Sequence, residues 1–275
     1  MEINQTNMDK LDLPAYLRRI EYAGDLRPGL ATLETLHLAH AAHIPFENLD
    51  IFLGRPIRLD LASLQAKLVQ EGRGGYCFEQ NTLFAAVLEQ LGFTLTRLAA
   101  RVLIRGDADA PRTHMLLLVE ISGKRWLADV GFGAGGPLLP LLLEPQREAR
   151  QFAWTYRVIE NAGQWLLQSL QNGEWKNLYA FTLEPQLAVD YEIANYYVST
   201  HPESGFVKTL TAQRLTPEGR DTLRNLQLSM DDGIEVVSQT LENEDELLNV
   251  LARIFGLRFP AGTRFLGPQS SVTKL

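Results

Sequence analysis

Apolar positions recur at helical spacing through the first third of the chain and then switch to alternation. In "LDLPAYLRRIEYAG", Leu13, Tyr16, Leu17 and Ile20 share one face, and Gly24 closes the segment. "TLETLHLAHAAH" predicts a second helix stopped at Ile44-Pro45, and "LASLQAKLVQEG" a third ending at Gly72. A fourth starts after Gly74-Gly75, with Phe84, Val87, Leu88 and Leu91 as its stripe and Gly92 as its stop. From Phe93 the period becomes two. "FTLTRLAARVLI" alternates, and "HMLLLVEISGKRWLADV" reads as two strands around Ser122-Gly123. "WTYRVIE", "QWLLQSL" and "EWKNLYAF" follow, separated by the turn residues "NAG" and "QNG". Beyond about residue 185, strands "FVKTLTAQRLT", "RNLQLSM" and "IEVVSQT" mix with one clear helix. There Leu247, Leu248, Leu251, Ile254 and Phe255 share a face between an Asn243 cap and a Gly256 stop. The pattern predicts an α+β fold in three parts: a helical bundle over residues 1–92, an antiparallel β-barrel or meander over 93–200, and a smaller α/β segment over 201–275.

Composition changes this picture mainly by exclusion. A net charge of −7 over 275 residues argues against a nucleic-acid or anionic-membrane surface, which needs a basic patch. "MEINQTNMDKLDLP" has no apolar stretch behind a basic start, so it does not read as a signal peptide. The longest apolar runs, "HMLLLVEI" and "PLLPLLL", are too short to span a bilayer. A single cysteine cannot form an internal disulfide, and a cysteine-poor chain without an export signal points to the cytoplasm.

That cysteine, Cys77, lies in "EGRGGYCFEQN" at the start of the fourth helix. It is either a small buried hydrophobe or a nucleophile. A thiol attacks as its thiolate, a form favoured by helix N-termini and by a neighbouring imidazolium. Gly74 and Gly75 would let backbone approach a substrate closely. If Ser122-Gly123 is a two-residue turn, Ile121 faces Lys124, and Glu120 faces Arg125 as an opposite-charge pair. In that register His114, Leu116, Leu118, Arg125, Leu127 and Asp129 fall on one face. Asp129 is one diagonal step from His114, reachable through a bulge or a leaning side chain. An acid there either completes an ordinary satisfied pair or orients a catalytic imidazole. Cys77, His114 and Asp129 would then be nucleophile, base and orienter. His37, His40 and His43, three residues apart, lack the partners of a standard metal site and read as a solvated or half-buried face, with no metal expected. His201 reads as a loop residue without an identifiable partner. In "DVGFGAGG", Gly131, Gly133, Gly135 and Gly136 either present N–H groups to a phosphate or form a flexible turn.

"RGGYCFEQN", "HIPFENLD", "PRTHMLLLV" and "ADVGFG" resemble the arylamine N-acetyltransferases in wording, order and spacing, and "YLRRIEYAG" resembles that family's first helix. The resemblance runs from about residue 16 to 143 and is faint beyond 145. It implies the same three-part fold, with a cysteine-protease-like triad on Cys77, His114 and Asp129 and a third segment that closes like a lid over coenzyme A. It implies that Arg73 and Glu47 form an ion pair bracing the loop before the nucleophile. It places Phe46, Phe132, Thr113 and Gly133 at the acceptor and CoA pocket, although Phe46 and Phe132 suit a plain core equally. Within that resemblance, the chain lacks the long insertion that vertebrate members carry after the barrel's early strands, so it looks like the bacterial type. The implied activity is ping-pong acetylation of arylamines or arylhydrazines, and of N-hydroxyarylamines on oxygen, by acetyl-CoA through a cysteine thioester, a role in xenobiotic metabolism. An amide synthase of the same fold and a papain- or transglutaminase-like hydrolase are the alternatives.

Overall fold

The computed structural model describes residues 10–104 and 109–265. The stretch read as lacking an export signal lies largely outside these residues, as do the outer ends of the first and third segments. Helices α1 (Leu13–Arg19) and α2 (Leu30–His43) lead into a short strand β1 (Phe46–Glu47) and a single turn α3 (Leu49–Phe52). Next come α4 (Leu61–Leu64), prolonged by a π-helical stretch over Gln65–Gln70, and α5 (Cys77–Gln90). Strands β2 (Thr94–Val102), β3 (Arg112–Ile121), β4 (Lys124–Ala128), β5 (Leu141–Leu142), β6 (Glu148–Gln151), β7 (Trp154–Asn161), β8 (Gln164–Gln171) and β9 (Glu174–Phe181) follow. The remaining elements of the described residues are α6 (Ala188–Thr200), α7 (Gly205–Lys208), β10 (Thr211–Thr216), β11 (Gly219–Arg224), β12 (Gln227–Asp231), β13 (Val236–Thr240) and α8 (Glu244–Ile254). Among the described residues no helix is long and apolar enough to cross a membrane.

Eight strands form one antiparallel sheet in the order β5-β4-β3-β2-β9-β8-β7-β6. Pro145, just past β5, bridges to Val158 on β7, so the sheet curls nearly closed. Three of its hairpins turn on Ser122-Gly123, Ala162-Gly163 and Asn172-Gly173, each with positive φ at both residues, the conformation that matches strand twist. The register at Ser122-Gly123 is the expected one: Ile121 opposes Lys124 and Glu120 opposes Arg125.

The run "HMLLLV" is continuously apolar because β3 is covered on both faces. Met115, Leu117 and Val119 join the helical core with Phe84, Val87 and Leu88 of α5. Leu116 and Leu118 point the other way, with Leu127, into the barrel-like interior beside Tyr156 and Leu167. A five-stranded sheet, β1-β10-β11-β12-β13, covers a third core with α8. In α8, Asn243 accepts from the N–H groups of Asp245 and Glu246, and Gly256 has φ +71°, as the sequence predicts.

Several local expectations differ from the structure. The first helix ends at Arg19, ahead of Gly24, and the third changes to π-helix from Gln65. "FVKTL" begins as the helical turn α7, capped by the Ser204 hydroxyl, and only then becomes a strand. A second helix, α6, stands in the region read as containing one. His201 closes α6 with its N–H on the Tyr197 carbonyl, stacks on the Tyr197 ring and accepts from the Glu203 N–H.

Candidate active site

The π-helical stretch, the loop Glu71–Tyr76 and the start of α5 are tied together by buried charge. Arg73 donates from Nε (3.0 Å) and Nη2 (2.6 Å) to the same oxygen of Glu47, while the other Glu47 oxygen accepts from the Leu49 N–H. The expected ion pair is present, but as two donors on one oxygen rather than a parallel fork. Arg73 also reaches Asp50 at 3.2 Å, and Lys67 bridges Asp50 and Glu79, each at 2.7 Å. The second Glu79 oxygen accepts from the Tyr76 N–H at 3.1 Å, bracing the residue before Cys77. Burial and the crowding of acids push the Glu79 carboxyl up to about 7, even with Lys67 opposing the shift.

Gly74 and Gly75 serve this packing rather than an approach to substrate. A Cβ on Gly74 would lie 2.0 Å from the Pro45 carbonyl, and one on Gly75 would lie 2.8 Å from the Glu79 side chain. Cys77 is thereby held as the first residue of α5, where the N–H groups lack intrahelical partners.

His114 comes from β3 at a bulge. Ala100 opposes His114, but Arg101 opposes Arg112, leaving Thr113 without a facing residue on β2. The Thr113 carbonyl accepts from the Cys77 thiol at 3.6 Å, which ties the nucleophile's helix to the histidine's strand. The β3–β4 ladder stops at Leu117–Ala128, so Asp129 is the first residue beyond it. Freed from the ladder, its Oδ2 lies 2.7 Å from His114 Nε2 with both side chains buried. Asp129 Oδ1 accepts from Asn81 Nδ2 (2.9 Å) and the Gly131 N–H (3.0 Å). Burial works against charge here. The Asp129 carboxylate overcomes it, with help from Cys77, and raises His114 to about 10, while the same pairing and hydrogen bonds lower Asp129. Phe132 and Tyr179 pack on the His114 ring at 5.1 and 5.0 Å between centroids.

Asn81, four residues after Cys77 on α5, escapes a reading of the sequence. Besides Asp129 it bonds the Met115 carbonyl (2.7 Å) and the Val130 N–H (3.2 Å), so one amide joins the three elements that carry Cys77, His114 and Asp129. The sole sequence signal is a polar residue one turn past the cysteine on the helix's buried side. Gly131 packs directly on the nucleophile's backbone. A Cβ there would lie 2.8 Å from Cys77 Cα. Its N–H is spent on Asp129, and that of Gly136 on the Gly133 carbonyl, so neither is offered to a phosphate.

Thr113 also lines an open cleft of about 330 Å³ with Arg112, Asp190, Tyr191, Ile193 and Tyr197. Phe46, Phe132 and Gly133 instead border a cavity of about 10 Å³ beside Asp129 and Gln80, room for about one water.

His37 and His40 are fully buried, contrary to the solvated or half-buried face read from their spacing. Burial is tolerated because both are neutral and satisfied. His40 lies between the Tyr16 hydroxyl (2.8 Å) and Gln80 Oε1 (3.0 Å), and burial lowers it to about 3. Among the described residues no group of three or more His, Cys, Asp or Glu is placed to hold a metal ion.

A family model described as N-acetyltransferase matches residues 29–263, which makes the chain an acyltransferase. It is 40% identical over 255 residues to the arylamine N-acetyltransferase of Mycolicibacterium smegmatis, covering 90% of this chain and 92% of that protein. It is 37% identical to the arylamine N-acetyltransferase / N-hydroxyarylamine O-acetyltransferase of Salmonella typhimurium, covering 89% and 88%. The structure of Mycobacterium marinum arylamine N-acetyltransferase in complex with CoA superposes with a TM-score of 0.85 at 37% identity, over 89% of this chain and 92% of that one. The chain belongs to the arylamine N-acetyltransferase family.

Proposed function

We propose that the protein transfers an acetyl group from acetyl-CoA to the nitrogen of arylamines and arylhydrazines, with Cys77 as the intermediate carrier. The observation that carries this reading is the buried 2.7 Å His114–Asp129 contact beside the Cys77 thiol. The His114 ring uses Nε2 on Asp129, so Nδ1 is left for the thiol. With His114 holding the proton, the Cys77 sulfur attacks the thioester carbonyl and forms a tetrahedral oxyanion. The N–H groups of Cys77 and Phe78, which have no intrahelical acceptor at the start of α5, are the donors at hand for that oxyanion. Collapse breaks the bond to the CoA sulfur, which leaves as the thiol with the proton from His114. A neutral amine then attacks the acetyl-Cys77 carbonyl. Its proton passes to His114, the carbon–sulfur bond breaks, and the product amide and the starting enzyme result.

Arylamines suit this second step because they are weak bases, uncharged near neutral pH. The O-acetyltransferase activity named for the Salmonella relative supports acetylation of N-hydroxyarylamines on oxygen by the same route. The donor enters by the cleft at Thr113, with Arg112 at its rim. The CoA complex of the M. marinum relative supports acyl-CoA as that donor. A cytoplasmic location agrees with the single unpaired thiol. Steady-state kinetics test the scheme. Parallel double-reciprocal lines for donor and acceptor, and no turnover by Cys77→Ala, are expected, and full activity of Cys77→Ala would end it.

A further inference from the structure

His37 lies on α2, far in sequence from the triad, yet it touches both ends of the loop that carries Asp129. The Asp129 N–H donates to His37 Nε2 at 3.0 Å, and His37 Nδ1 lies 2.9 Å from the Leu138 carbonyl. A backbone N–H can only donate and a carbonyl can only accept, so the two contacts fix one neutral tautomer, with the proton on Nδ1. The ring is fully buried and packs edge-on against Phe84 of α5. Between the bridged residues lie Gly131, pressed on Cys77, and Phe132, packed on His114.

We propose that His37 is a positioning residue: a neutral imidazole strap that closes the Asp129–Leu138 loop and so holds the Asp129 carboxylate on His114. Protonation would turn Nε2 into a donor facing the Asp129 N–H. Burial keeps the ring neutral by lowering it to about 4, with Asp129 and His40 as its titratable neighbours. The groups facing His114 itself are Asp129, Cys77 and Tyr179.

The inference rests on the proposed roles of Cys77, His114 and Asp129, and one experiment separates the two. Wild type, His37→Asn and His37→Gln are mixed with acetyl-CoA, and acetylation of Cys77 is followed in a single turnover by intact mass across pH. Asn reaches the Nδ1 position, so it keeps Leu138 and leaves the Asp129 N–H unpaired. Gln reaches the Nε2 position and can accept from that N–H. His37→Asn should acetylate about 100-fold more slowly, as expected for a reacting group displaced by an ångström. Its upper pH limit, set by loss of the His114 proton, should fall by about one unit. His37→Gln should recover about tenfold of the rate and most of the pH limit. A His37→Asn variant with wild-type rate and pH limit overturns the strap. A wild type that takes no acetyl group on Cys77 overturns the reading beneath it. If His37→Asn does not fold, His37→Gln is compared with His37→Met. A faster Gln variant upholds the strap, and equal rates overturn it.

Discussion

Replacing Asp129 by Asn changes one atom and reverses the hydrogen-bond logic of the site. Oδ1 faces two donors, Asn81 Nδ2 and the Gly131 N–H, so the Asn carbonyl must take that position. The amide NH2 is then aimed at His114 Nε2, which has to become an acceptor. The imidazole proton moves to Nδ1, the side left for Cys77, and the ring can no longer take the thiol proton. The charge that supports the imidazolium is lost as well. Holding His114 at about 10 rather than 6.5 corresponds to on the order of 5 kcal/mol. A loss on the order of 10⁴ in acetylation rate is therefore expected, the size seen when a serine-type triad is given the wrong tautomer. Single-turnover acetylation measures it, and thermal melting controls for folding. The melting difference has its own sign. A histidine raised on folding contributes stability that is complete below about pH 6.5 and disappears as pH rises through about 10. The gap between wild type and Asp129→Asn should thus be largest near pH 6 and shrink toward pH 10. A folded Asp129→Asn variant within tenfold of the wild-type rate would refute this role for Asp129.

Other consequences are equally open to measurement. Arg73→Gln leaves Glu47 and Asp50 buried with one cation fewer and should cost about 3–5 kcal/mol in urea unfolding; a loss below about 1 kcal/mol would contradict the brace. Glu79, raised from 4.5 to about 7, binds a proton in the folded state that the unfolded chain has released, so its contribution makes stability fall as pH rises across that window. Glu79→Gln should remove a slope of up to about 1.4 kcal/mol per pH unit there, and an unchanged slope would deny Glu79 the titration. Gly131→Ala forces a methyl against Cys77 Cα and should cost about 1–3 kcal/mol and slow acetylation; wild-type stability and rate together would show that the loop yields freely.

The first four helices and the hairpin register were legible because each depends on local rules, whereas the grouping of Cys77, His114 and Asp129 was implied by the family resemblance. Ser122-Gly123 sets its register through backbone that favours positive φ, and Glu120–Arg125 agrees with it. Asp129 reached His114 for a reason alternation does not contain: the ladder ends one residue earlier. α6 was hidden because Leu187, Val189, Ile193 and Tyr196 beside its buried Tyr191 and Val198 are apolar yet exposed, so its two faces do not differ in polarity. His37 and His40 were misread because an imidazole is buried only when both nitrogens are satisfied. Their partners, Asp129, Leu138, Tyr16 and Gln80, are distant in sequence. Gly74 and Gly75 looked substrate-facing, but a Cβ at either would meet the protein itself.

The most direct test is the mass of the intact protein after brief exposure to acetyl-CoA with no amine present. One acetyl group should appear, map to Cys77, and vanish on adding an arylamine as acetylated arylamine forms. Turnover of the amine with no acetyl group ever detectable on Cys77, or with the group on another residue, would contradict a covalent relay through that sulfur.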